Sequence, residues 1–265
     1  MSAVSDVPPE AGSTPPPPPP PPPPNLAPPP GYAAYDTPPT QAGTKRVGGL
    51  GKTLVILTAI LAVGTVLTAV LSAGVTQDAK DFLDGTISED DFTSAIGPLN
   101  ALQLVTSLAT LATGVVTIIW AFRIAGNVRA FGRATTWSPL FAIFGWFLPP
   151  MVLYVIPFLV LRELWKASEP MSVTGDDWKR VPDNRVLWFW FLAFGIIPAA
   201  LLAVQIGNFA SAGLPTGDME SVAESLDEFG AIGYVTAVVN VAAAAAWITF
   251  VRQLTPRHMR LTGET

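Results

Sequence analysis

Cysteine is absent from this chain, and histidine occurs once, as His258. The first absence excludes disulfides, thiol catalysis and Cys-ligated metal centres. The second leaves no set of imidazoles for a metal, and His258, in the C-terminal tail, reads as a solvated residue. No metal or other cofactor is expected. Charge is scarce as well: 13% of the residues are charged and 50% are hydrophobic, whereas a soluble domain carries about 25% charged residues. The charges sum to −5, so the basic surface that nucleic acid requires is missing. The first 44 residues have neither a basic n-region nor an apolar core, and no signal peptide is expected.

Proline, by contrast, is abundant and concentrated. Residues 1–44 hold 17 of the 27 prolines, including the unbroken run 15–24. Proline donates no backbone hydrogen bond and fixes φ, so that run is polyproline II. Such a composition buries too little apolar surface to offset its ordering entropy, and a disordered tail is expected. It reads as a solvated spacer or as a docking rod for a protein partner with an aromatic groove. Gly48-Gly49-Leu50-Gly51-Lys52-Thr53 mimics a phosphate loop, but Arg46 stands where that motif needs glycine and no strand precedes it.

Four apolar runs, 54–75, 99–122, 186–209 and 231–251, are each about 20 residues long, enough to cross a hydrocarbon core of about 30 Å. The expected fold is an all-α integral membrane protein with four transmembrane helices in two hairpins. The helical domain covers 45–260, followed by a short tail, 261–265. Between the hairpins, 138–161 is apolar but interrupted by Pro149, Pro150 and Pro157. Proline removes a helical hydrogen bond and displaces the residue before it from the α region. Each half is about 16 Å of helix, half a bilayer. The segment is expected to re-enter, a kinked span being the alternative.

Charge sets the sides. Lys and Arg gather on the cytoplasmic side of membrane proteins. Residues 76–97 and 210–230 are acidic, whereas 123–133 carries Arg123, Arg129 and Arg133 and the chain closes on Arg252, Arg257 and Arg260. If 138–161 returns to its own side, both acidic segments lie outside and 14 of the 15 basic residues lie inside. Both termini are then cytoplasmic, at the cell membrane. Tryptophans 120, 137, 165, 178, 188, 190 and 247 form an inner interfacial belt in that arrangement.

Residues 122–168 resemble an uncharacterised family of bacterial, mainly actinobacterial, multi-pass membrane proteins, domain of unknown function 4328. The resemblance is carried by Phe122-Arg123, by Asn127-Val128-Arg129-Ala130-Phe131-Gly132 and by Ser138-Pro139. It continues in Trp146-Phe147-Leu148-Pro149, Pro157 and Arg162-Glu163-Leu164-Trp165-Lys166-Ala167-Ser168. It implies architecture and no activity.

None of the four runs has Asp, Glu, Lys, Arg or His at its centre, which weighs against proton relays, voltage sensors and intramembrane catalysis. No catalytic residue is assigned and no enzyme is expected. Arg123, Asn127, Arg129 and Arg133 are candidates for contact with anionic lipid headgroups. Asn240, beside a run of alanines, reads as helix-packing glue. Two functions remain: a non-catalytic scaffold or regulator with a proline-rich tail and arginine-rich inner face, or a small channel or permease built around 138–161. The partners expected are the bilayer, a protein for the tail and further copies of the chain.

Overall fold

The computed structural model describes residues 43–147, 155–170, 176–200, 219–228 and 230–265. All of them fall in the compact unit Gln41–Thr265. The proline-rich tail up to residue 42, the Pro149-Pro150 break and the 201–209 half of the fourth apolar run lie outside the described residues.

Every regular element among the described residues is helical. Helix α1 spans Gly48–Leu83 and α2 spans Glu89–Ala130. A short α3, Phe141–Phe144, runs into a 3-10 turn at Gly145–Phe147. Helix α4 is Val155–Ala167, and a 3-10 turn at Asp177–Arg180 follows it. Helix α5, Arg185–Ala200, contains a π-helical stretch at Phe191–Ile196. Helices α6, Met219–Glu228, and α7, Gly230–Thr262, complete the order.

Three of these helices, α1, α2 and α7, are long and apolar enough to cross a membrane. Their flanks expose Ile56, Val63, Val70, Leu104, Leu111 and Val238, an apolar surface suited to lipid rather than water. Of the two acidic segments, 76–97 is helical on both sides of a turn at 84–88, and the described part of 210–230 is the helix Met219–Glu228. At 36 and 42 residues, α1 and α2 are about 54 and 63 Å long, so both overshoot a hydrocarbon core. Ser88 explains the sharp turn between them: its hydroxyl accepts from Asp91 N while the Asp91 carboxylate accepts from Ser88 N, a capping box. Glu89, Asp90 and Asp91 then favour the start of α2 through its dipole. The overshooting ends bury Val75, Ala79, Phe92, Ile96 and Leu99 against Ala223 of α6, with Phe82 stacked on Phe92 at 5.0 Å. This small core stands apart from the main one.

The main core lies towards the arginine end, where Trp120, Ile124, Phe158, Leu161, Leu187 and Phe250 are buried. Trp120 and Trp247 were expected in an interfacial belt. They are instead buried and meet edge to face at 6.0 Å, and Trp190 lies 5.0 Å from Trp247. Their rings plug the bundle because the long runs supply Ala, Thr and Gly, and large side chains are needed to fill the space between them.

Both flanks of 138–161 lie at that same end. Glu163 accepts from the backbone N–H groups of Thr136 and Trp137 at 2.7 and 3.1 Å, and Arg133 donates to the carbonyl of Ala167. Gly145 abuts the side chain of Ile156, where an added Cβ would meet Cγ2 at 2.9 Å. A straight helix would separate those residues by about 16 Å, whereas here they are in contact. Pro157 is buried inside α4 near its start, where a missing N–H costs nothing.

Candidate functional site

Two polar features stand out in a bundle with so little charge: a network at the arginine end and a cavity towards the acidic end.

The network is built on Asn127. Its Oδ1 accepts from Lys45 N at 2.7 Å, and its Nδ2 donates to Lys45 O at 2.8 Å and lies 3.0 Å from His258 Nε2. His258 Nδ1 is 3.0 Å from Ser168 Oγ. His258 has no solvent exposure, which corrects its reading as a solvated tail residue. Arg257 pairs with Glu169 at 2.6 Å and stacks over Trp165 at 4.1 Å. The carboxylate of Glu264 accepts from Val47 N and Gly48 N at 2.8 and 3.0 Å, capping the N-terminus of α1 from beyond the end of α7. The last residues are therefore part of the fold. Arg162 and Lys166 converge on Asp183 at 2.8 and 2.9 Å. The hydrogen bond from Arg162, seconded by Lys166, holds the Asp183 carboxyl down to about 2 against the opposing cost of desolvation.

The four expected headgroup residues divide here. Arg129 is exposed, with Nε 3.4 Å from Thr135 Oγ1. Arg123 is half-buried and donates to Arg46 O at 2.9 Å. Asn127 and Arg133 are buried at 2% and 7% exposure, turned towards protein rather than solvent. Helix α2 ends at Ala130, between Arg129 and Arg133. Gly132 adopts φ +71°, with Gly132 N on Arg129 O and Arg133 N on Val128 O. This Schellman ending redirects Arg133 into the interior.

The cavity lies between α1, α2 and α7 and measures about 430 Å³, within the range of small-ligand sites. Helix α1 lines it with Thr65, Thr68, Ser72 and Thr76, spaced three or four apart and so on one face. Helix α2 contributes Gln103, Thr106 and Ser107, and α7 contributes Tyr234, Thr236 and Asn240. No Asp, Glu, Lys, Arg or His is among the described lining residues. Asn240, expected as packing glue, is exposed on this wall. Several hydroxyl protons are already engaged within their own helices: Thr65 donates to Leu61 O at 2.9 Å, Thr76 to Ser72 O at 2.8 Å and Thr106 to Leu102 O at 3.0 Å. Their lone pairs remain for a ligand. Leu226 of α6 contributes to the acidic end of the cavity, and the Trp120–Trp247 plug fills the bundle at the opposite end. This cavity was missed because Thr and Ser in the apolar runs read as tolerated small residues. The hydroxyl spacing at 65, 68, 72 and 76 was the available signal.

A family profile described as "Domain of unknown function (DUF4328)" matches residues 85–256. No curated protein and no solved structure matches the chain.

Proposed function

Because the chain belongs to the family of domain of unknown function 4328, whose description names no activity, we propose from its geometry a non-catalytic membrane regulator that takes an uncharged polar ligand into the cavity between α1, α2 and α7. The observation that carries this is the cavity itself: its described walls offer hydroxyl and amide groups on an apolar frame, with no ionic side chain among them. A buried charge needs a partner of opposite sign, and these walls offer none. A neutral ligand loses less on leaving water.

The reading places the chain in the cytoplasmic membrane with four spans, 186–209 being the fourth. Both termini sit inside, and Arg123 and Arg129 face anionic headgroups. The backbone bonds of Thr136 and Trp137 to Glu163 support a re-entrant 138–161. The proline-rich tail is the part offered to a protein partner, and copies of the chain meet through exposed apolar flanks. A permease is the competing reading. Its solute path would run through this cavity rather than along 138–161, and it would require the Trp120–Trp247 plug to open.

Ser107→Cys tests the ligand site in a chain with no other thiol. In reconstituted vesicles the cysteine should react with a neutral hydroxyethyl methanethiosulfonate about tenfold faster than with its sulfonate or trimethylammonium counterparts. The same vesicles should swell in glycerol no faster than empty ones. Equal rates with all three reagents would refute a neutral site, and glycerol-driven swelling would convert the regulator into a permease.

A further inference from the structure

The cavity does not end at its own walls. Along the seam between α1 and α7 it adjoins a second, almost wholly apolar hollow of about 530 Å³, and both are lined by Ala69, Tyr234 and Ala237. The hollow continues over Val66, Val70, Ala73, Val238 and Val241. Val70 and Val238 are 65% and 70% exposed, so the hollow opens on the flank that faces lipid in our membrane reading. Ala69 and Ala237, which line both spaces, put no bulky side chain between them. A polar chamber joined sideways to an apolar one has the form of an amphiphile site.

Resting on the reading of the cavity as a neutral-ligand site, we propose that its occupant is a membrane lipid with an uncharged, hydroxyl-rich head. The head lies among Ser72, Thr106 and Asn240, and one acyl chain leaves through the Ala69–Ala237 seam into the apolar hollow. The hydrogen-bond inventory selects the head. Thr65, Thr76 and Thr106 have their protons engaged in their own helices and present lone pairs. With the amides of Gln103 and Asn240 beside them, such walls suit a head that both donates and accepts, as a polyol or sugar does through every hydroxyl. A phosphate head only accepts, carries charge and would find no cation among these residues. Water in place of the head would satisfy the walls but leave the hollow to be covered by bulk lipid, with no head-dependent selection.

The test uses the full-length chain in phosphatidylcholine vesicles containing a monoglucosyl diacylglycerol with a photoreactive diazirine in one acyl chain. After illumination the adducts should concentrate at 66–73 and 238–241. Unlabelled monoglucosyl diacylglycerol should compete about tenfold better than phosphatidic acid of the same chains, as a few neutral hydrogen bonds allow. Ala69→Trp, which fills the seam, should lower the adduct yield about tenfold, whereas Leu108→Trp on the exposed flank of α2 should not. Asn240→Leu should bring the two competitors close to parity. If Ala69→Trp fails to fold, Ala237→Trp takes its place, and the wild-type competition decides in either case. Equal competition by phosphatidic acid, or adducts spread evenly along α1, α2 and α7, would overturn the proposal. Competition by water-soluble methyl glucoside as strong as by the glucosyl lipid would retain the neutral-ligand cavity and remove the acyl chain from it. Competition by neither glucoside would remove both.

Discussion

Asn127→Leu should melt the detergent-solubilised chain roughly 10 °C below the wild type, a loss of about 3–5 kcal/mol. The side chain is close in size, so the effect comes from partners left behind. Lys45 N and O lose their bonds of 2.7 and 2.8 Å, and His258 Nε2 loses its neighbour at 3.0 Å in a fully buried position. Each buried polar group left unpaired costs about 1–3 kcal/mol. Leu at 127 also releases the chain entering α1 from the end of α2, contacts 82 residues apart in sequence. Arg129→Ala, two positions away and exposed, should change stability by no more than about 0.5 kcal/mol. Thermal melts followed by circular dichroism compare the two. Equal melting temperatures would show that the network contributes nothing to the fold.

Gly51→Leu should cost about 3 kcal/mol or more, by overpacking rather than by lost bonds. A Cβ at position 51 would come within 2.5 Å of Thr255 Oγ1 and 2.7 Å of its Cγ2. Thr255 in turn accepts from Trp120 Nε1 at 3.2 Å, so moving it disturbs the aromatic plug. Gly49 meets nothing within 4 Å. Gly49→Leu should therefore be neutral or slightly stabilising, since Leu is the better helix former. The same melts separate the variants. A Gly51→Leu protein as stable as Gly49→Leu would mean that α1 and α7 do not meet at this point.

The two sites differ in how far the sequence discloses them. The runs 54–75 and 99–122 are legible because 20 apolar residues have few other uses, and both fall inside α1 and α2. Their full lengths were hidden by acidic residues that read as loop, although Ser88 and Asp91 carry the spacing of a capping box. His258 was misread because its partners, Asn127 and Ser168, are 131 and 90 residues away. No local pattern predicts a contact of that range. Trp120 and Trp247 satisfy two descriptions equally, an interfacial belt and a buried plug, and only the packing of α2 on α7 separates them. Arg162, Glu163, Trp165, Lys166 and Ser168, which carry the family resemblance, all hold the arginine end together. That stretch pointed to architecture because architecture is what its side chains make.

In the proposed topology the acidic and arginine ends of the bundle lie on opposite sides of the membrane, and cysteine accessibility tests this most directly. Single cysteines replace exposed residues at each end: Thr86 and Glu224 at the acidic end, Ala130, Lys179 and Thr265 at the arginine end. An impermeant thiol reagent is added to intact cells. Thr86→Cys and Glu224→Cys should react at once, and Ala130→Cys, Lys179→Cys and Thr265→Cys only after the membrane is permeabilised. Reaction of Lys179→Cys from outside, with Glu224→Cys protected, would contradict it: 138–161 would then cross the bilayer, and the cavity between α1, α2 and α7 could not form as described.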